Sequence, residues 1–251
     1  MNIKLLGLEF YKCRRRNVTV LCAAVLAVEL LWMGFTLSRQ GTDDLRQGWM
    51  MMLYNLAMVD AIVLPLSVAA LASRNCELEH KGNTPKLLET MASPSSLYTA
   101  KLCWGALTLA VLFIVRSIVF AAMGAAAGFP GEVPLAQFCI FALISWAVSM
   151  MVYTLGQGLS LRFANQAPAL ICGISGSFLG ILSMLFPPAL IRFVPWGYYG
   201  LLALVGMDWN ETTRITRFYW QWPSPADLAL LAVWAAVFGT VGRMLFVKKQ
   251  V

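Results

Sequence analysis

A chain of 251 residues with 59% hydrophobic and only 12% charged side chains cannot cover a core in water, where about 25% charged is usual. Its mean hydropathy of +0.71 makes lipid the covering. The net charge of +7 comes without an aromatic–basic stripe on which a nucleic-acid strand could stack, so it reports membrane topology and anionic lipid and excludes nucleic-acid binding.

Residues 2–16 mix Leu5, Leu6, Leu8, Phe10 and Tyr11 with Lys4, Lys12 and Arg14, Arg15 and Arg16. That pattern predicts an interfacial helix on the inner leaflet; the alternative is an ordinary basic flank. Six continuous apolar runs follow, at 18–37, 50–72, 102–128, 138–161, 169–186 and 226–247. Each has roughly the 17–25 residues a helix needs to cross the hydrocarbon. Their continuity excludes a barrel, whose strands alternate. The first run is too long for a signal-peptide core and has no small-residue cleavage site, so it is expected to be retained.

Between the runs, 13 of the 19 Lys and Arg fall on the side of the N-terminus, five on the other, and Arg116 lies within a run. Both termini are therefore expected in the cytoplasm. Residues 189–206 are apolar enough for a seventh span, which would place the C-terminus outside. Pro187, Pro188 and Pro195 break a helix there, and Trp196, Tyr198 and Tyr199 prefer an interface, so a re-entrant or interfacial outer hairpin is expected. The six cysteines show no C-x-x-C spacing and read as small apolar fillers. The fold class is thus an all-α membrane protein of about six spans forming a single permease-like domain over 1–251. Its parts are an interfacial helix at 1–16, a cytoplasmic loop at 73–101 and an outer hairpin and loop at 187–225.

Several chemistries are absent. The single histidine, His80, falls in the cytoplasmic loop, so Gly173-Ile174-Ser175-Gly176 lacks the intramembrane base that a serine protease of this motif needs. It reads instead as small-residue helix packing. No H-E-x-x-H and no G-x-x-x-x-G-K-[ST] occurs. Neither a catalytic role, a metal nor a cofactor bound by the chain itself is expected.

Two features carry information. In the loop, Thr84 can cap a short helix, Pro85 suits its first position, and Leu87, Leu88 and Met91 share one face. Ser93-Pro94 is expected to end it. Such a helix lies on lipid or docks into a partner's groove, the alternative being a solvated loop. Within the spans, Glu29, Asp60 and Arg116 each fall near the midplane, where an unpaired charge costs at least ~2.5–3.5 kcal/mol. Arg116 is expected to pair with Glu29 or Asp60, either to lock the bundle or to sense substrate and break on conformational change. Pro65 and the Gly156/Gly158 pair are bend points or packing features.

The loop Glu77-Leu78-Glu79-His80-Lys81-Gly82-Asn83-Thr84, then Leu87-Leu88, Ser93-Pro94 and Ala100-Lys101 at the head of the third span, resembles the signature loop of ABC-2 type permeases. It is most similar to the permease subunits of lantibiotic-immunity transporters, although that family usually has its Pro just before the Ser. The resemblance implies a bacterial cytoplasmic-membrane subunit that pairs with a second permease, the same or related, and with two copies of an ATP-binding subunit. ATP and Mg would be held by that partner. Glu77, Glu79, His80, Lys81, Pro85, Leu87, Leu88 and Met91 would couple the chain to it. The substrate would be a membrane-partitioned amphipathic peptide such as a lantibiotic. Two other readings stay open on the residues alone: an ion- or proton-coupled secondary transporter using Asp60 or Glu29, and a non-transporting scaffold or sensor subunit.

Overall fold

The computed structural model describes residues 3–13, 17–40, 44–81, 93–163, 165–209 and 216–250. A short helix α1 (Ile3–Cys13) precedes α2 (Val18–Ser38). After a 3-10 turn at Asp44–Gln47 come α3 (Gly48–Lys81), α4 (Pro94–Ala126), α5 (Leu135–Arg162) and α6 (Ala167–Ser183). The chain then dips through α7 (Pro188–Ile191), a 3-10 turn at Pro195–Gly197 and α8 (Tyr198–Leu201). Strands β1 (Val205–Trp209) and β2 (Thr216–Trp220) pair antiparallel, Val205 opposite Trp220 and Asp208 opposite Arg217, before the closing helix α9 (Pro225–Gln250).

Five helices are long and apolar enough to cross a membrane: α2, α3, α4, α5 and α9. A sixth apolar helix, α6, is shorter, with 17 residues and a length of about 25 Å. All six apolar runs are therefore helical, with different ends. The second run was expected to stop at residue 72, but α3 continues to Lys81. The third was expected to begin near residue 101, but α4 begins at Pro94. Ser93 is its N-cap, accepting from the Ser96 amide, and Pro94 occupies the first turn. The Ser-Pro pair thus starts a helix, and residues 73–81 and 94–101 of the expected loop are helical. The expected helix at 84–91 lies outside the described residues. The β-hairpin was not foreseen, because its residues are few and sit among interfacial aromatics.

The core is organised around α3, which packs against α2, α4, α5 and α6. It is the most enclosed crossing, whereas α2 and α9 are peripheral. The α3–α6 seam follows from Pro65. Proline has no N–H, so the Ala61 carbonyl loses its helical donor. The α6 backbone closes on that stretch through glycines. A Cβ on Gly180 would lie 2.6 Å from Ala61 O, and one on Gly173 would lie 3.0 Å from Pro65 O. Gly176 gives room to the Trp196 indole of the re-entrant segment. The other glycine pair is also a packing device: Gly156 meets Ala72 and Ala69 of α3, and Gly158 meets the backbone of Gly242 in α9.

Residues 187–204 do not cross. The α7 helix and the 3-10 turn fold back beneath the far end of the bundle, and α8 buries Tyr198 and Tyr199 against α3, α5 and α6. Three ties hold this corner. The Arg192 guanidinium meets the Asp227 carboxylate of α9 at 2.6 Å, and the Arg192 carbonyl accepts from Tyr198 Oη and from Trp234 Nε1. The irregular backbone from Pro195 to Leu204 is thus largely covered by protein, whereas 185–190 are exposed.

Candidate functional site

Two polar layers interrupt the apolar bundle. The first is at mid-height. Asp60 of α3 faces Arg116 of α4 end-on, with Nη1 to Oδ2 at 3.1 Å and Nη2 to Oδ1 at 2.7 Å. Ser145 of α5 donates to the same Oδ2 at 3.0 Å. Glu29 of α2 approaches Arg116 Nε at 3.1 Å, an ion pair without the alignment of a hydrogen bond. One turn along α5, Ser149 shares a 2.9 Å hydrogen bond with the Tyr199 hydroxyl of α8. The guanidinium also lies 5.2 Å from the Phe141 ring centroid and 5.5 Å from that of Phe113. All three charged side chains are buried, Arg116 3% exposed and Glu29 and Asp60 fully enclosed. The gap beside Arg116, lined by Leu56, Phe113, Phe120, Phe138 and Phe141, has no room for a water molecule. The layer is clamped, with α2 and α3 paired to the cation of α4, α5 bonded to Asp60, and the re-entrant segment joined to α5 beside it.

The second layer lies at the end that carries α1 and the last turns of α9. Lys101 of α4, 1% exposed, donates to Glu9 of α1 at 2.8 Å and to the Asn75 carbonyl of α3 at 3.1 Å. Asn75 Nδ2 donates to Tyr153 Oη of α5 at 2.8 Å, and Gln157 Nε2 donates to the Tyr98 carbonyl at 3.0 Å. A separate apolar cluster of Cys76, Tyr98, Leu161 and Phe246 packs around it, bringing α9 in. Neutral partners and an opposite charge together make a buried ammonium tolerable.

Both layers bear on the residues singled out from sequence. Glu29, Asp60 and Arg116, from three helices, form one cluster in which Arg116 takes both carboxylates. Glu77 is half-buried at the foot of α3. Glu79, His80 and Lys81 continue that helix, while their side chains, and Pro85, Leu87, Leu88 and Met91 entirely, lie outside the described residues. Sequence reasoning missed Glu9, which lies within the expected interfacial helix, and gave Lys101 no role beyond the head of the third span. The signal available was that Glu9 is the one carboxylate in the first 28 residues, set among cations on an amphipathic segment. Among the described residues no cluster of His, Cys, Asp and Glu could hold a metal ion.

The arrangement defines a multi-pass membrane protein whose polar groups hold helices together rather than line a reaction centre. Two of its helices run on together at one end, on either side of a short segment. Residues 5–186 match the family described as ABC-2 family transporter protein, and the chain belongs to that family. It is accordingly a membrane permease subunit of an ABC transporter, a class that works with an ATP-binding partner and is not itself the catalytic subunit. The match ends just after α6, before the re-entrant segment. No curated protein matches the chain.

Proposed function

We propose that this chain is a permease subunit of an ATP-driven exporter that expels a membrane-partitioned amphipathic peptide, of which a lantibiotic is the leading candidate. The bundle sits in a bacterial cytoplasmic membrane with both termini inside. Residues 82–92, with Glu77, Glu79, His80 and Lys81 on the approach, take the thrust of two ATP-binding subunits. ATP and Mg are bound there, not in this chain.

The observation that carries this reading is the pair of stalks. With 34 and 33 residues, α3 and α4 are each about 50 Å long, far more than the roughly 30 Å of hydrocarbon. Both overrun at the same end, bracket residues 82–92, and are bound to each other there through Lys101 and Asn75. A displacement of the intervening segment is therefore delivered to two spans at once. The closed mid-layer supports the other half of the reading. A bundle with no room for water beside its central cation offers cargo no route through its own middle. The cargo path then runs along the lipid-facing surface or between two permease subunits, which suits a substrate already dissolved in the membrane.

The test is a pull-down of the tagged chain from gently solubilised membranes, alongside a variant with Leu87→Asp and Leu88→Asp. A P-loop ATPase that copurifies with the parent and is lost from the variant is the expected result. Absence of any ATPase from the parent, under conditions that keep other membrane complexes intact, refutes the coupling assignment.

A further inference from the structure

The N-terminal arm is fastened to the bundle through charge. Glu9 is the one buried residue of α1 among those whose side chains are described. Leu8, Phe10 and Tyr11 are exposed, Tyr11 to 75%. The helix packs against α4 and is fastened by the Glu9–Lys101 pair, with Lys12 of α1 also on Glu9 at 3.1 Å. The next helix repeats the device. Only Val25, Glu29 and Met33 of α2 are buried, a stripe spaced at four residues, with the Glu29–Arg116 pair at its centre. Both cations belong to α4, fifteen residues or about 22 Å apart. Asn17, the N-cap of α2, has a φ of 52° and is the one described non-glycine residue in the left-handed region.

We infer that Glu9 and Lys101 are positioning residues for transport: a clasp that makes α1 follow α4 and so hands movement of the 82–92 segment to the arm. The start of α4 at Pro94 follows that segment directly, and Lys101 lies two turns in. A thrust on the segment moves Lys101, and the buried ion pair carries α1 with it. The Arg116–Glu29 pair then holds α2 to the same helix at mid-height. In this arrangement α1 and α2 are each tied to α4 by a buried ion pair. The pair is suited to this because it is dry: a solvent-exposed ion pair exchanges partners freely, whereas a buried one resists separation. The inference rests on the reading that residues 82–92 receive the ATP-binding subunit.

Hydrogen exchange read by mass spectrometry on the assembled transporter tests it, with and without ATP plus vanadate. In the parent, nucleotide is expected to alter exchange in two places, residues 82–92 and α1. The change in α1 should reach about tenfold, the effect of moving a local opening equilibrium by about 1.4 kcal/mol. In Glu9→Gln the response of 82–92 should persist while that of α1 is lost. If Glu9→Gln releases α1 even without nucleotide, the deciding variant is Glu9→Cys with Lys101→Cys, joined by a bifunctional maleimide. Return of the α1 response under the bridge supports a mechanical clasp, and its absence overturns it. An equal α1 response in parent and Glu9→Gln also overturns it. A parent in which 82–92 itself does not respond to nucleotide refutes the coupling assignment instead, so the two failures are distinct.

Discussion

Replacing Arg116 by alanine tests whether the mid-height layer holds the bundle together. The substitution leaves two enclosed carboxylates, Glu29 and Asp60, with no cation among their described contacts. Removing one partner of a buried ion pair costs about 3–5 kcal/mol, chiefly because the remaining charge stays buried. Chains of this length lose roughly 2–4 °C of melting temperature per kcal/mol, so the midpoint in detergent should fall by about 6–20 °C. A double-mutant cycle then apportions the loss. Asp60 meets the guanidinium at two atoms and Glu29 at one, so adding Asp60→Asn to Arg116→Ala should recover more stability than adding Glu29→Gln. The assay is size-exclusion of fluorescently tagged protein after heating, which reads the folded fraction of each variant. An unchanged midpoint for Arg116→Ala, or greater recovery through Glu29→Gln, would refute the assignment of the cluster as a lock centred on Asp60.

Other variants address the packing. Gly180→Leu should cost about 1–3 kcal/mol or prevent accumulation, because the new side chain meets the Ala61 carbonyl and not a movable group; the same melting assay reads it. Gly34→Leu, at a position with open space around it, should leave the midpoint within experimental scatter. Tyr199→Phe removes the hydroxyl bonded to Ser149 and should lower stability by about 1 kcal/mol. Asp227→Asn at the far-end corner should produce a smaller fall that shrinks further in high salt, since Arg192 is partly in solvent.

The six apolar helices, five of them long enough to cross a membrane, were legible because lipid imposes a length and a composition that leave few alternatives. The pairing of Arg116 was legible for the same reason, since a lone guanidinium in hydrocarbon demands a partner. That it takes both carboxylates was not, because rotation of α2 about its axis decides whether Glu29 faces Arg116, and a helix apolar on every side gives no periodic signal for its rotation. Helix ends misled for a related reason. Hydropathy marks where lipid ends, and α3 and α4 continue beyond it as polar stalks that only their backbone hydrogen bonding and the Ser93 cap define. Lys101 illustrates the cost of reading charge by sequence position alone. Set beside the positive-inside count it is one cation of thirteen, but in the fold it is among the most enclosed side chains of the molecule. The β-hairpin escaped notice because its five-residue strands carry exposed aromatics on both sides, with Tyr219 over Gly206 on one face and Trp209 and Trp220 on the other.

The distribution of close packing and ion pairing divides the subunit into parts with different resistance to movement. Glycine-mediated backbone contact along α3–α6 and α5–α9 leaves no compliant side chains at the seams, so those helices shift only together. The α1–α2 arm has few fully buried apolar residues, and beside its half-buried leucines it is held at two charged points. Such an attachment is stiff along the helix it grips and weak elsewhere, because apolar contact is broad and an ion pair is local. On the proposed reading, in which cargo approaches from the membrane, one boundary helix must follow the ATP-driven stroke without unpacking the core. The boundary helix attached in the way that requirement calls for is α2, and the helix it is tied to is α4.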